Sequence, residues 1–188
     1  MKIIAISGSP RRGGNTETAL LEALAGAGVA TPEAALIRLN ELTFRGCQGC
    51  YGCRAPGSTG CVVPDELQTV YRAVAEADVV LLGSPVYYGY VSGQMKSCLD
   101  RWYAFKDGRR QPRLAAGKKA VFFLAQGAPG EDHYLWTTSS IQRVLTGYGF
   151  ASQMVVLPHC EEMGAIRHRP GLLEKAREAG REASLEKQ

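Results

Sequence analysis

The fold follows from residues 2–16, KIIAISGSPRRGGNT, in which a short apolar run ends in a polar loop rich in glycine. Residues 2–7 form an isoleucine-rich run of the kind found in buried strands. Residues 16–27 are predicted to form a helix, with Asn15 or Thr16 available to cap its start and Gly28 suited to its end. A strand, a glycine-rich loop and a helix in this order predict the first unit of a parallel α/β sheet.

The same alternation continues along the chain. Further strands are predicted at 34–39, 78–83, 119–125 and 150–157. Further helices are predicted at 65–77, 132–146 and 171–187. One more helix, ending at about residue 104, is predicted to follow a turn-rich loop at 84–92. Five strands that alternate with helices predict a doubly wound five-stranded parallel sheet of order 2-1-3-4-5, in a single domain spanning 1–188. The competing fold is the six-stranded Rossmann arrangement, and the chain length favours five strands.

Composition narrows the class of protein. The chain has 188 residues, of which 45% are hydrophobic and 21% charged, and its net charge is +4. This charge is too small to indicate a nucleic-acid partner. The first apolar run ends at Ser7-Gly8 and is too short for a secretion signal, and no stretch approaches the ~18 apolar residues that cross a bilayer. We therefore expect a cytoplasmic protein without a nucleic-acid or membrane partner.

The loop after the first strand is suited to an anionic ligand. Unpaired backbone N–H groups and the dipole at a helix start favour a phosphate. Ser9, Asn15 and Thr16 can donate hydrogen bonds, and Arg11 adds a positive charge. Pro10 stands where a dinucleotide fingerprint needs glycine, and no Gly-Lys-Ser/Thr follows as in a nucleotide triphosphate loop, so a monophosphate is favoured. A polar turn without a ligand is the alternative.

The loop after the third strand is predicted to lie beside the first, where the strand order reverses. Its sequence, GSPVYYGY at residues 83–90, holds three tyrosines framed by Pro85 and Gly89. Such a loop could form a wall against a flat ring. Alternatively, the tyrosines pack beneath the loop or at a subunit interface.

Three segments together resemble the NADPH-dependent FMN reductase family and its iron-sulfur flavoprotein branch. They are GSPRRGGNT (8–16), GSPVYYGYVSGQMKSCLDR (83–101) and CQGCYGC with a later cysteine (47–61). The resemblance implies a flavodoxin-like fold, non-covalent FMN, NAD(P)H as electron donor, and a homodimer or homotetramer. The pair Asp100-Arg101 also matches the family, although a helix-end or interface pair would explain it equally simply.

The resemblance also implies where FMN lies. The phosphate would be bound by Ser9, Arg11, Asn15 and Thr16. The isoalloxazine ring would lie against Pro85, Val86, Tyr87 and Tyr88, with Gln126 and Gly127 at its other border. No catalytic acid or base is implied, because the flavin supplies the chemistry.

A long connection at 40–64 carries a group of cysteines. Cys47, Cys50 and Cys53 are spaced C-x2-C-x2-C, and Cys61 follows. The set resembles the compact motif of iron-sulfur flavoproteins, and such runs also ligate [4Fe–4S] clusters in ferredoxins. A zinc site and free thiols are the alternatives. Cys98 is interpreted as a buried inert thiol, and Cys160 is placed outside the cluster motif.

Three functions follow from these features. The first is an FMN-dependent NAD(P)H oxidoreductase that passes electrons through a [4Fe–4S] cluster to an unknown acceptor, or a plain FMN reductase if the cysteines hold no cluster. The second is a carrier that moves electrons between proteins without using NAD(P)H. The third is a flavin-free binding module.

Overall fold

The structure, a computed structural model, describes residues 1–185. Its strands are β1 (Ile3–Ser7), β2 (Leu36–Arg38), β3 (Val79–Tyr87), β4 (Tyr90–Val91), β5 (Lys119–Ala125) and β6 (Ala151–Leu157). Its α-helices are α1 (Asn15–Gly26), α2 (Leu67–Glu76), α3 (Gly93–Arg101), α4 (Leu135–Gly147) and α5 (Pro170–Ser184). Within the part of the chain that the structure describes, no helix is both long and apolar enough to cross a membrane.

The main sheet is parallel. Its strands lie side by side in the order β2-β1-β3-β5-β6, while the short β4 pairs antiparallel with the end of β3. Counted among parallel strands alone, this is the predicted order 2-1-3-4-5, so the doubly wound flavodoxin-like fold is confirmed and the Rossmann order is not observed. The order reverses between β1 and β3, where such folds bind their ligands.

Helices cover both faces of the sheet because successive strand residues face opposite sides. In β1, Ile3 and Ala5 join the core beneath α1 and α5, whereas Ile4 and Ile6 join the core beneath α2, α3 and α4. Both layers are apolar, which explains why the strands are continuous hydrophobic runs rather than alternating ones.

The region predicted as a turn-rich loop at 84–92 is different in the structure. β3 continues to Tyr87 and turns through Tyr88 and Gly89 into β4. Both turn residues have positive φ, 51° and 80°, as two-residue hairpins require. The turn is therefore shorter than the predicted loop, because Val86 and Tyr87 extend the strand.

Other boundaries move less. β2 has only three residues because Pro32–Ala35 forms a 3₁₀ turn before it. α3 ends at Arg101 and continues as a 3₁₀ turn over Trp102–Phe105. The predicted helix at 171–187 corresponds to α5, and residues 186–187 lie outside the described residues.

The predicted cap of α1 was wrong. Gly14 is the N-cap, and no side chain bonds the first turn of the helix there. Asn15 is the first helical residue, and its carboxamide is engaged with a distant loop described below. The absence of a side-chain cap leaves the N–H groups of this helix start available to a ligand.

Candidate functional site

A cleft of 470 Å³ lies at the carboxyl ends of the parallel strands, beside the point of reversal. It brings together residues of both predicted loops and one from the loop after β5: Ser9, Arg11, Asn15, Thr16, Pro85, Val86, Tyr87 and Gly127. These residues are more than 100 positions apart at the extremes and meet because parallel strands end at one edge of the sheet.

The two principal loops are fixed to each other by buried hydrogen bonds. The Gly8 N–H donates to the Gly83 carbonyl at 2.8 Å. The Ser92 hydroxyl donates to the Gly8 carbonyl at 2.6 Å, and the Ser92 N–H donates to the Ser84 hydroxyl at 2.9 Å. The cleft therefore has a preorganised wall, which lowers the cost of ordering it around a ligand.

The start of α1 offers donors to an anion. No protein acceptor within residues 1–185 bonds the N–H groups of Asn15, Thr16 or Glu17. Ser9 shapes the loop before them, since its hydroxyl accepts the Arg11 N–H at 3.1 Å. Free N–H groups at the positive end of a helix dipole form a site for a phosphate.

The two neighbouring arginines of this loop differ. Arg11 lines the cleft, and its exposed guanidinium makes no ion pair with any described residue. Arg12 instead pairs with Glu41 at 2.7 Å. A third arginine, Arg167, donates to the Gly13 carbonyl at 2.8 Å and adds positive charge that sequence reasoning did not predict. Of these three arginines, Arg11 is thus the one that lines the cleft.

Asn15 has a structural task in addition to lining the cleft. Its amide nitrogen donates to the carbonyls of Cys160 and Glu162 at 3.0 and 2.7 Å, and its oxygen accepts the Ile166 N–H at 3.1 Å. The side chain therefore ties the first loop to the loop after β6. Its carboxamide is therefore engaged, which leaves its backbone N–H as the group available to a ligand.

Two further predicted residues lie at the margins. Tyr88 occupies the tip of the hairpin with its side chain fully exposed, outside the lining of the cleft. Gln126 is 1% exposed, and its amide nitrogen donates to the carbonyls of Ala128 and Gly130 at 3.3 and 2.6 Å. Gln126 therefore shapes the loop that carries Gly127, while its contact with a ring, like that of Tyr88, stays a prediction.

Sequence reasoning missed part of the wall. The additional lining residues are Gly14, Ala125, Ala128, Tyr134, Cys160, Glu161 and Met163. Most follow β5 or β6, and the predicted strand order would have placed those loops at the same edge. Cys160 is buried here, and burial raises the pKa of its thiol to about 11. It is a neutral, uncharged part of the wall at neutral pH.

The four predicted cysteines lie around one pocket. Cys47, Cys50, Cys53 and Cys61 all line one pocket of 270 Å³, together with Arg101 and Tyr103. The chain bends tightly there: Gly52 approaches Val62 so closely that a Cβ would stand 2.4 Å from its Cγ2. Burial and the neighbouring thiols of Cys61 and Cys50 raise the pKa of Cys53. None of these residues lines the first cleft, so the two sites are separate.

Within residues 1–185, no three His, Cys, Asp or Glu side chains converge on a point that could hold one metal ion. Zinc takes about four ligands at ~2.0–2.3 Å from a single ion. A four-iron cluster makes a different demand, because each of four thiolates binds its own iron.

The donors around the pocket suit an anionic group. Arg101 lines the pocket, and its Nε is buried without a hydrogen-bond partner among the described residues. Arg54, which follows Cys53 in the chain, has its Nε and Nη2 in the same state but lies outside the pocket lining. Arg113 donates to the Cys53 carbonyl at 3.0 Å, and the Arg54 guanidinium lies 4.2 Å from the Tyr103 ring centroid. A cluster held by four thiolates carries net negative charge, which nearby guanidinium groups would offset. The residues present therefore fit such a group.

The fold, the cleft suited to a phosphate and the loop with four cysteines indicate the class of protein. A family model described as "NADPH-dependent FMN reductase" matches residues 1–164, and the chain belongs to this family. Within it, the chain is similar to proteins named iron-sulfur flavoproteins. One, from Methanosarcina thermophila, is 34% identical over 90% of this chain and 84% of its own length.

Another iron-sulfur flavoprotein, from Methanocaldococcus jannaschii, is 37% identical over 64% of this chain and 62% of its own length. The chain thus matches less than two thirds of that relative. Among solved structures, the NAD(P)H:quinone oxidoreductase from Methanothermobacter marburgensis is similar, with a TM-score of 0.72, 20% identity, and 100% of this chain and 99% of that chain covered. At this identity the likeness concerns the fold.

Proposed function

We propose that this chain is an FMN-dependent NAD(P)H oxidoreductase that also holds a [4Fe–4S] cluster and passes electrons through it to an acceptor. The observation that carries the proposal is the single cleft at the point of strand reversal, where the free N–H groups of α1 lie near Pro85, Val86 and Tyr87. A phosphate-type site and an apolar wall at one cleft are what FMN requires.

The binding roles follow from the lining. The N–H groups of Asn15 and Thr16, the Ser9 hydroxyl and the Arg11 guanidinium would bind the phosphate. Pro85, Val86 and Tyr87 would lie along the isoalloxazine ring, with Tyr88 at the rim and Gly127, supported by Gln126, on the other side. When bound, FMN would supply the chemistry of accepting a hydride from NAD(P)H and passing electrons on.

The cluster part of the proposal rests on the cysteine pocket. Cys47, Cys50, Cys53 and Cys61 would each supply one thiolate, and Arg101 in the pocket wall would offset part of the negative charge. Such a cluster, when bound, carries electrons one at a time. The homodimer or homotetramer and the cytoplasmic location stay predictions.

Anaerobically isolated protein provides the test of function. We expect a flavin spectrum together with iron and sulfide, and we expect NADPH or NADH to bleach the flavin band within about a second, since turnover numbers are commonly ~1–10³ s⁻¹. Reduced ferredoxin is the comparison donor. Bleaching by ferredoxin alone would indicate a carrier, flavin without iron after reconstitution would leave a plain reductase, and colourless protein after incubation with FMN would overturn the flavin site.

The two arginines of the first loop provide a matched pair of variants. Arg11→Ala should weaken FMN binding by roughly 10–100-fold, since a charge-assisted hydrogen bond contributes about 1.5–3 kcal/mol. Arg12→Ala should leave the affinity nearly unchanged, because Arg12 is paired with Glu41. Fluorescence titration of apoprotein with FMN measures both, and circular dichroism reports folding. Equal affinities for the two variants would contradict the assignment of Arg11.

A further inference from the structure

A buried guanidinium lies in the wall of the cysteine pocket. Arg101 is the last residue of α3, and its side chain is 1% exposed. One terminal nitrogen, Nη2, lies 3.2 Å from the Cys61 sulfur. The other, Nη1, donates to the Asp65 carboxylate and to the Arg45 carbonyl, the latter at 3.2 Å. Asp100, the neighbour of Arg101 in the pair noted in the sequence, instead pairs with Lys96 at 2.6 Å.

The orientation of this guanidinium is fixed from several sides. Asp65 also accepts the Leu67 N–H at 3.2 Å, so the carboxylate belongs to the start of α2. The Tyr71 hydroxyl donates to the Arg101 carbonyl at 2.6 Å and holds the end of α3 against α2. Two helices thus determine where the charge lies relative to Cys61.

Stability alone is a poor explanation for this arrangement. Desolvating an ion pair costs several kcal/mol, and replacing such a pair with apolar residues is often neutral or stabilising. Here the Arg101 Nε also remains without a partner among the described residues, which adds to the cost. By contrast, Lys96 and Asp100 on the same helix form an ordinary exposed pair. The buried charge is directed at a sulfur, where it has an electrostatic effect that a surface pair lacks.

We propose that Arg101 is a positioning residue of the cysteine pocket, which fixes the Cys61 thiolate and raises the reduction potential of the cluster bound there. The inference rests on the proposed function, because it requires the cluster. Hydrogen bonds to the sulfurs and nearby positive charge stabilise the reduced form, which carries one more electron. Arg101 supplies the hydrogen bond to Cys61 from a position screened from solvent, while Asp65 shares its charge.

The test compares cluster potentials in reconstituted FMN-containing protein, by titration with dithionite under argon and detection of the reduced cluster by electron paramagnetic resonance. At a fixed applied potential, Arg101→Gln should lower the ratio of reduced to oxidised cluster at least tenfold. This corresponds to a decrease of about 59 mV in the reduction potential of a one-electron couple. Arg101→Lys keeps the charge but loses the fork geometry, and its potential should fall between those of the other two proteins. Lys96→Gln removes one exposed charge from the same helix and should match the wild type.

Removal of a buried partner can disturb folding, so a second variant is needed. Asp65→Asn with Arg101→Gln removes both charges and leaves the net charge unchanged, and loss of the guanidinium hydrogen bond to Cys61 should still lower the potential. FMN affinity and circular dichroism confirm that each variant is folded. A wild-type potential in the double variant, or an equal shift in Lys96→Gln, would overturn the inference while leaving the proposed function intact. A wild-type protein that takes up no iron would overturn both.

Discussion

Replacing Gly180 with valine should prevent stable folding. α1 and α5 cross with their backbones in contact: a Cβ on Gly180 would stand 1.9 Å from the Ala23 carbonyl oxygen, and one on Gly26 would stand 2.0 Å from the Arg177 carbonyl oxygen. Neither carbonyl can move without distorting its helix. A branched side chain must therefore separate the helices and expose the core beneath them, which includes Ala19, Leu20 and Ala176.

Alanine gives a measurable version of the same effect. Gly180→Ala should lower the free energy of unfolding by about 3 kcal/mol, although alanine favours helix by ~1 kcal/mol over glycine. Gly171→Ala in the same helix is the control, because a Cβ there meets nothing within 4 Å. Urea unfolding followed by circular dichroism measures both. Equal stability of Gly180→Ala and wild type would show that the helix backbones are not in contact.

Replacing any one of Cys47, Cys50, Cys53 or Cys61 with serine should lower the iron and sulfide content of anaerobically isolated protein at least tenfold. A serine hydroxyl is a harder and poorer ligand for iron than a thiolate, and loss of even outer contacts of a metal site typically costs ~10–100-fold in affinity. FMN content should stay near that of wild type, because the cysteine pocket and the cleft share no lining residue.

The matched control is Cys98→Ala. Cys98 is fully buried within the apolar core, and burial raises the pKa of its thiol to about 12, so it offers no thiolate at neutral pH. Iron and sulfide analysis and flavin absorbance, measured on the same samples, distinguish the sites. Full iron content in any of the four serine variants would remove that cysteine from the ligand set, and loss of iron in Cys98→Ala would indicate a general effect of stability.

The fold was predictable because its information is local. A buried parallel strand must be apolar on both faces. Residues 3–7, 79–83 and 119–125 can therefore be recognised as strands without knowing which elements pack against them. The short β4 was not predictable in this way. It depends on a positive φ at Tyr88, a backbone conformation that residues other than glycine rarely adopt. The paired strands on either side of Tyr88 hold it in this conformation.

The candidate site likewise has parts that could be predicted from neighbouring residues and parts that could not. The loop suited to a phosphate can be read from consecutive residues, because it consists of a strand end, a turn and a helix start. The C-x2-C-x2-C motif can be read in the same way, because its thiols are closely spaced. The role of Asn15 is not local: its carboxamide contacts Cys160, Glu162 and Ile166, which are about 150 positions away. The sequence identified Asn15 as important but could not separate positioning from direct binding.

By itself, then, the sequence determined the five parallel strands, the anion-type loop and the group of four cysteines, because each depends on the chemistry of neighbouring residues. The tertiary structure decided which distant groups surround them. It placed Cys160 in the wall of the cleft, left Arg11 free while Arg12 pairs with Glu41, and brought Arg101 to Cys61. Such contacts depend on strand order, helix crossing and the path of long loops, which no short stretch of residues encodes.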